Sequence, residues 1–263
     1  MCADGSTGIA CLRTKKISPA CRLYTRAPRF ERHVFVLSMS PVSAMPELPD
    51  DASSTAKHVA ISGNIGAGKT ALTEVLGEYF DWDTVYEQVD DNPYLTDFYN
   101  DMRRWSFNLQ VFFLSERFEQ LQRIEESETS VVQDRSIYED AHIFARNLYE
   151  MGHMSTRDYE NYTDLFTIMT SYLQPPSLLI YLRASVPTLV NHIQQRGREY
   201  ESTIRIDYLE RLQGHYEEWI ENYDRGPKLI VDVDELDFVE EEDDRRAVLN
   251  QIESRLFGLF PDE

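Results

Sequence analysis

From His58 onward, the chain alternates between short apolar runs and longer stretches with apolar residues at helical spacing. The short runs are mostly rich in β-branched residues and are flanked by polar or turn residues, as buried parallel strands are. The predicted strands are residues 58–62, 84–87, 130–134, 178–183 and 228–233. The predicted helices are residues 69–80, 92–126 and 138–174 in two pieces each, 186–197, 206–225 and about 245–259.

This alternation predicts an α/β fold, a doubly wound five-stranded parallel sheet with helices on both faces. The chain of 263 residues is long enough for such a domain, and we expect a single domain over residues 57–263. The acidic run "VEEEDDRR" at 239–246 is expected to be a solvated loop.

Residues 1–56 show little periodicity and end in a stretch rich in Pro, Ser and Ala. We expect a disordered extension, or translated upstream sequence with the natural start at Met39 or Met45. Because the segment is rich in Arg and poor in acidic residues, an organelle transit peptide is the alternative.

Charge is distributed unevenly along the chain. Seven basic and two acidic residues give the first 38 residues a charge of +5, so the remainder carries −25 of the total of −20. A body this acidic repels nucleic acids and anionic membranes, and no apolar run is long enough to span a bilayer. All three cysteines lie in the N-terminal stretch, so neither disulfides nor a Cys-based metal site is expected in the body, and a cytoplasmic setting is predicted.

The segment "GNIGAGKT" matches the phosphate-loop pattern G-x-x-x-x-G-K-[ST] between a predicted strand and a predicted helix. Its residues are Gly63, Asn64, Ile65, Gly66, Ala67, Gly68, Lys69 and Thr70. Glycines let successive backbone amides turn toward an anion, while Lys reaches the β and γ oxygens and the Thr hydroxyl binds Mg²⁺. The loop therefore predicts ATP or GTP with Mg²⁺, and the absence of an N-K-x-D tetrapeptide argues against a GTPase switch.

Three further segments supply candidate groups for phosphoryl transfer. Glu87 ends the second predicted strand, where a carboxylate can accept the proton of an attacking hydroxyl. Asp134 and Arg135 follow the third strand, suited to a Mg²⁺-bound water and to the transferring phosphate. Arg196 and Arg198 leave a later helix and could close over the triphosphate as a lid. Each pattern alone also fits an ordinary strand end, helix N-cap or basic helix C-terminus.

Taken together, these segments resemble the deoxyribonucleoside kinase family. The resemblance is carried by "GNIGAGKT", Glu87, "WSFNLQ" at 105–110, "DRS" at 134–136 and "RGREYE" at 196–201, in the family's order and spacing over about residues 58–240. The segment "YEQVDDNPYLTDFY" is most similar to the bacterial deoxyadenosine and deoxyguanosine kinases. The resemblance implies a P-loop kinase with a lid loop, ATP as phosphate donor, Mg²⁺, and a homodimer formed through helices near 105–126 and 138–150.

The resemblance also implies roles for individual residues. Glu87 would be the general base on the 5′-hydroxyl, and Arg135 would hold that oxygen and the phosphates. The implied substrate-binding residues are Gln110, Arg117 and Asp140 at the base edge, Tyr99 and Glu201 at the 3′-hydroxyl, and Trp105 and Phe144 as pocket walls. Gln110 and Arg117 are seven residues apart, so both point from one helix face, and Asp140 could meet Arg117 across the pocket. For Phe107, plain core packing is expected.

Two departures and several alternatives accompany the resemblance. Asp134 stands where many relatives carry Glu, and His192 stands where a basic residue is common. The predicted reaction is phosphorylation of a purine deoxynucleoside by ATP. The alternatives are a deoxycytidine-preferring or broad deoxynucleoside kinase, a nucleoside monophosphate kinase of the thymidylate-kinase type, and a non-catalytic nucleotide-binding regulator.

Overall fold

The computed structural model describes residues 56–87, 92–197 and 205–258. Its five strands form one parallel sheet in the order β2-β3-β1-β4-β5. The strands are β1 (His58–Gly63), β2 (Asp83–Val85), β3 (Val131–Asp134), β4 (Leu178–Arg183) and β5 (Lys228–Asp232). Every predicted strand is present, although β2 ends two residues before Glu87.

The helices also follow the predicted pattern. They are α1 (Lys69–Phe80), α2 (Leu95–Asn100), α3 (Met102–Glu125), α4 (Ile137–Glu139), α5 (Arg146–Glu150), α6 (Thr156–Thr170), α7 (Val186–Arg196), α8 (Ile206–Glu221) and α9 (Glu242–Phe257). A π-helical segment, Asp140–Ala145, joins α4 to α5. Within the described ranges, no helix is long and apolar enough to cross a membrane.

Alternating residues of the strands build two cores on opposite faces of the sheet. On β4, Leu178, Ile180 and Leu182 point to the face covered by α1, α7 and α9, where Leu72, Leu189 and Ile252 pack. Leu179 and Tyr181 point to the other face, covered by α3, α5, α6 and α8. Such two-sided burial explains why the strands read as nearly continuous apolar runs, and it confirms the predicted doubly wound fold.

The expectation of a loop over residues 239–246 was wrong in its second half, because α9 begins at Glu242. Glu242, Asp243 and Asp244 fill the first turn of this helix. Carboxylates there interact favourably with the partial positive charge of the helix N-terminus, so an acidic run can begin a helix as well as form a loop.

The order of the strands fixes the place of the phosphate loop. The chain passes from β1 to β2 and β3 on one side, then crosses to β4 and β5 on the other. The loop after β1 therefore lies at the carboxyl edge where the order reverses, the position at which open α/β sheets bind ligands. The candidate residues after β2 and β3 are brought to this same edge.

Candidate active site

The phosphate loop adopts an anion-binding shape through its glycines. Gly66 and Gly68 have φ angles of 88° and 94°, and a Cβ at Gly66 would lie 2.8 Å from the Leu189 carbonyl oxygen. Lys69 Nζ donates to the carbonyl oxygens of Gly63 at 2.8 Å and Asn64 at 3.0 Å. Burial lowers the pKa of Lys69, and the charge of Arg135 adds to that effect. These two hydrogen bonds thus hold the lysine beside a loop whose backbone amides can bind phosphate oxygens.

Thr70 and Asp134 meet at the start of α1. The Thr70 hydroxyl donates to Asp134 Oδ2 at 2.6 Å, although the two residues lie 64 positions apart. A hydroxyl and a carboxylate are both hard oxygen ligands of the kind Mg²⁺ prefers. No cluster of three or more His, Cys, Asp or Glu side chains suited to a metal occurs in the described part of the chain. A Mg²⁺ site with few protein ligands fits this chemistry, since Mg²⁺ usually keeps waters and binds substrate phosphates.

Glu87 is held between two guanidinium groups. Its Oε1 accepts from Arg117 Nη2 at 3.1 Å and lies 3.2 Å from Arg135 Nη1. Burial alone would raise the pKa of Glu87, but the charges of Arg135, Arg117 and Lys69 outweigh burial, and the pKa lies below its usual value. The side chain is therefore ionised at neutral pH, as a proton acceptor must be.

Arg135 carries unusual backbone geometry. Its φ of 74° is left-handed, a conformation that costs free energy for a residue with a side chain. The guanidinium lies 4.4 Å from the centroid of the Phe144 ring, a cation–π contact that fixes its direction. Its Nε is buried without a hydrogen-bond partner among the described residues. Strain and an unused donor at the end of a sheet strand are both typical of a ligand-binding site.

The expected contact between Arg117 and Asp140 is present. Arg117 Nε donates to Asp140 Oδ2 at 3.1 Å, and both side chains are 3% exposed. Asp140 begins the π-helical segment, a local irregularity often found at functional sites. Gln110 lies on the same α3 face, and its Oε1 is buried without a hydrogen-bond partner in the described structure. An unpaired buried acceptor beside a charged pair is suited to a polar ligand.

Most of these groups line a cavity of about 200 Å³ at the carboxyl edge of the sheet. Arg117 is not on the wall of this cavity, but it contacts Glu87 and Asp140, which are. The predicted residues on its wall are Ile65, Gly66, Lys69, Thr70, Glu87, Tyr99, Gln110, Asp134, Arg135, Asp140, Phe144 and Arg196. A second cavity, of about 690 Å³, lies between the phosphate loop, α7 and the loop after β5. Four residues line both cavities, namely Gly66, Lys69, Thr70 and Arg196. The phosphate loop thus separates two binding spaces and faces each of them.

Some predicted residues lie elsewhere. The structure does not bring Trp105 to the wall of the smaller cavity; its ring lies 5.8 Å from the Tyr94 ring and 4.5 Å from Arg104 Cζ. Phe107 packs against the core, as expected for it.

In the predicted lid region, Arg198 and Glu201 lie outside the described residues. His192 is within hydrogen-bond distance of the Gly66 carbonyl oxygen, 2.9 Å from its Nδ1, so it contacts the phosphate loop rather than pointing away as a lid cation.

Several site residues were not found from the sequence. Phe113 and Tyr208 line the smaller cavity, and the spacing of 110, 113 and 117 on one helix face could have indicated Phe113.

Glu139 is fully buried beside the phosphate loop, where Tyr216 donates to it at 2.8 Å. Burial raises the pKa of Glu139, and Arg135 and Lys69 oppose that effect. The Ser136-x-x-Glu139 capping box was the local signal for this residue.

Comparison with known protein sequences shows what the chain is similar to. A sequence model of the family described as deoxynucleoside kinase matches residues 59–256. The deoxyadenosine/deoxycytidine kinase of Bacillus subtilis is 41% identical over 198 residues, which cover 74% of this chain and 91% of that protein. The deoxyguanosine kinase of Lactobacillus johnsonii is 40% identical over 217 residues, 78% of this chain and 96% of that protein.

Solved structures give the same result at the level of the fold. Deoxyadenosine kinase from M. mycoides with bound dATP superposes with a TM-score of 0.66 and 30% identity, covering 75% of this chain and all of that one. A second structure of that enzyme, with products dCMP and a flexible dCDP bound, gives the same TM-score at 31% identity, with 75% and 99% coverage. Sequence similarity and fold similarity therefore point to the same family.

Proposed function

The chain belongs to the deoxynucleoside kinase family and is an ATP-dependent kinase, and we propose that it transfers the γ-phosphate of ATP to the 5′-hydroxyl of a purine deoxynucleoside. The acceptor is deoxyadenosine, deoxyguanosine or both, and the reaction serves nucleotide salvage. Because the chain belongs to this family, two alternatives that the phosphate loop alone allowed are no longer favoured, namely a nucleoside monophosphate kinase and a non-catalytic regulator. The observation that carries the proposal is the joining of Glu87, Arg117 and Asp140 beside the phosphate loop.

The donor side is the phosphate loop with its lysine. Backbone amides of Gly66 to Thr70 and the N-terminus of α1 receive the phosphate oxygens, while Lys69 exchanges its carbonyl partners for the β and γ oxygens. Thr70 and Asp134 would hold Mg²⁺. When bound, the ion offsets phosphate charge. Arg196, which lines both cavities, and Arg198 add positive charge over the triphosphate.

On the acceptor side, Glu87 receives the proton of the 5′-hydroxyl. A carboxylate whose pKa is lowered by Arg135 and Arg117 is a weak base, so it orients the hydroxyl first and takes the proton late. This order suits phosphoryl transfer, in which the transition state is loose and needs little proton abstraction. The unpaired Nε of Arg135 donates to the oxygens of the phosphoryl group that is being transferred.

Recognition of the base is assigned to Gln110, Arg117 and Asp140. The unpaired Gln110 Oε1 accepts from an exocyclic amine, and its amide can also donate. Asp140 offers an acceptor on the cavity wall, and Arg117, which is not on the wall, orients that carboxylate through their 3.1 Å contact. Tyr99 on the cavity wall, together with Glu201, holds the 3′-hydroxyl, and Phe144 forms an apolar wall. Trp105 contributes through Tyr94 rather than at the wall.

A broader acceptor range is the second candidate. The B. subtilis relative is named for deoxyadenosine and deoxycytidine, and the M. mycoides structure contains dCMP and dCDP. An Arg–Asp pair can present the same groups to cytosine as to a purine edge, so this candidate needs no change in the site.

One assay separates these candidates. The purified full chain is incubated with ATP, Mg²⁺ and each of the four natural deoxynucleosides, and ADP release is followed by a coupled reaction. The proposal expects kcat/KM to be highest for deoxyadenosine or deoxyguanosine. Highest values for deoxycytidine would favour the second candidate, and release of ADP without any deoxynucleoside dependence would refute both.

The proposal also covers the oligomeric state of the protein, its cellular compartment and its domain organisation. The kinase forms a cytoplasmic homodimer through α3 and the helices over 138–150, with a single domain over residues 57–263. Size-exclusion chromatography with light scattering tests the dimer, since a mass of one chain at micromolar concentration would contradict it.

A further inference from the structure

Helix α8 contacts the phosphate loop at two separate points. Asn64 Nδ2 donates to the Leu209 carbonyl oxygen and to Gln213 Oε1, each at 3.1 Å. Asn64 Oδ1 accepts from the Ile65 amide at 2.8 Å, so the same side chain fixes the loop backbone. Because Asn64 is almost fully buried, these bonds are not exchanged with bulk water.

The second point of contact passes through Glu139. Its Oε1 accepts from the Tyr216 hydroxyl at 2.8 Å and from the Gly63 amide at 3.5 Å. Its Oε2 accepts from the amide and the hydroxyl of Ser136, at 2.7 Å and 3.1 Å. One buried carboxylate therefore joins α8, the first residue of the phosphate loop and the turn that carries Arg135.

Gln213 and Tyr216 are three residues apart, so they lie on the same face of α8. Gln213 is itself fixed, because its Nε2 donates to the Tyr181 hydroxyl at 3.1 Å and to Glu217 Oε1 at 2.9 Å. The Tyr216 ring stacks on that of Tyr181, with centroids 5.9 Å apart. Both side chains are thus held by contacts with Tyr181, in addition to their contacts with Asn64 or Glu139.

The first turn of the same helix reaches the acceptor cavity, which Tyr208 lines. We infer that α8 positions the phosphate loop for phosphoryl transfer, with Gln213 and Tyr216 as its positioning residues. Neither residue touches a reacting atom; each acts through Asn64 or through Glu139. The inference rests on the donor role proposed above for the loop, and it adds two residues outside the loop on which binding of ATP depends.

The test compares three full-length variants. Tyr216→Phe removes the hydroxyl that binds Glu139, and Gln213→Met removes the contact with Asn64 at similar volume. Tyr223→Phe is the matched control, because the Tyr223 hydroxyl is buried just beyond α8 without a hydrogen-bond partner in the described part of the chain. Steady-state kinetics give KM separately for ATP and for the best deoxynucleoside, and calorimetry gives the dissociation constant of the Mg²⁺–ATP complex.

We expect Tyr216→Phe and Gln213→Met each to raise KM and the dissociation constant for ATP about fivefold, the effect of one hydrogen bond. The KM of the deoxynucleoside should stay within about twofold, and the Tyr223→Phe control within about twofold for both substrates. A merely structural role would lower the melting temperature and the active fraction, which reduces apparent kcat without moving either KM.

Unchanged ATP affinity in Tyr216→Phe would overturn the inference, whatever happens to Gln213→Met. Tyr216→Phe loses a single oxygen atom and leaves the ring stacking in place, so it serves if Gln213→Met fails to fold. Failure of the proposed function looks different, since wild-type enzyme would then have its highest kcat/KM for deoxycytidine or show no ATP-dependent turnover of any deoxynucleoside. The calorimetric comparison of the variants would still decide the positioning role in that case.

Discussion

Replacing Glu87 tests the chemistry and the electrostatics of the site together. Glu87→Ala removes the carboxylate, and Glu87→Gln keeps its shape but removes its charge. Both guanidinium groups that contact Glu87 are largely buried, with side-chain exposures of 3% for Arg117 and 13% for Arg135. Arg117 retains Asp140 after the change, whereas Arg135 loses its ion pair with Glu87 and keeps the Phe144 ring contact.

The size of the effect on stability follows from these contacts. Each guanidinium lies about 3 Å from Glu87 Oε1, which corresponds to an attraction of about 5 kcal/mol at an effective dielectric constant of roughly 20. Desolvation offsets much of this attraction, but removing one partner of a buried pair still costs about 3–5 kcal/mol. For a domain of this size, that change lowers the melting temperature of Glu87→Ala by roughly 6–20 °C.

The effect on catalysis is separable from the effect on stability. Loss of a general base lowers kcat by about 10²–10⁴-fold, and Glu87→Gln should show this loss with a smaller change in melting temperature. The affinity for ATP should stay within about twofold, because the phosphate loop is unchanged. Kinetics are measured well below the melting temperature of each variant, with ATP binding by calorimetry. Glu119→Gln, an exposed substitution on α3, is the control and should match the wild type.

Three results would contradict this reasoning. Full kcat in Glu87→Gln would show that the carboxylate is not the proton acceptor. Loss of activity in proportion to the unfolded fraction alone would show that Glu87 supports the fold and not the reaction. Unaltered stability of Glu87→Ala would further contradict the ionic role assigned to its two contacts.

Three further predictions concern other parts of the molecule. Replacing Arg117 with Met or Asp140 with Asn should change the ratio of kcat/KM between purine and pyrimidine deoxynucleosides about tenfold, and an unchanged ratio in both would exclude them from base recognition. Thr70→Val should raise the Mg²⁺ concentration for half-maximal activity about tenfold, with Thr70→Ser close to wild type, and equal Mg²⁺ curves would contradict the assigned site. Burial lowers the pKa of His58 to about 4, opposed by its hydrogen bond to Gln133. The unfolded chain therefore binds more protons between pH 6.5 and 4, and stability of about 3 kcal/mol present above pH 6.5 should be lost toward pH 4. Melting curves of His58→Gln against pH should lack this loss.

Much of the fold could be predicted because its signals are local. The boundaries of α1 and β4 follow from residue type and spacing within each segment. Where one local sequence pattern suits two kinds of secondary structure, the sequence was not enough to predict which of them forms. The acidic run at 239–246 suits both a solvated loop and the first turn of a helix, and packing of Val248, Leu249 and Ile252 decided for the helix from Glu242.

The candidate site divides in the same way. The phosphate loop is contiguous, so its pattern alone predicts its shape and its ligand class. Gln110 and Arg117 could be assigned to one face because helical spacing is fixed. Nothing local indicates that Arg135 has a left-handed backbone or that Trp105 lies against Tyr94, since both depend on how the elements pack.

By itself, the sequence determined the class of fold and the phosphate loop, because backbone preference and motif spacing act over a few residues. The reaction was predicted from the resemblance to the deoxyribonucleoside kinases. Only the tertiary structure decided which charges meet. Glu87, Arg117 and Asp140 come from three separate elements, and Tyr216 reaches Glu139 across 77 positions of chain. Such contacts arise from the order β2-β3-β1-β4-β5, which is set by the burial of both faces of the sheet rather than by any single segment.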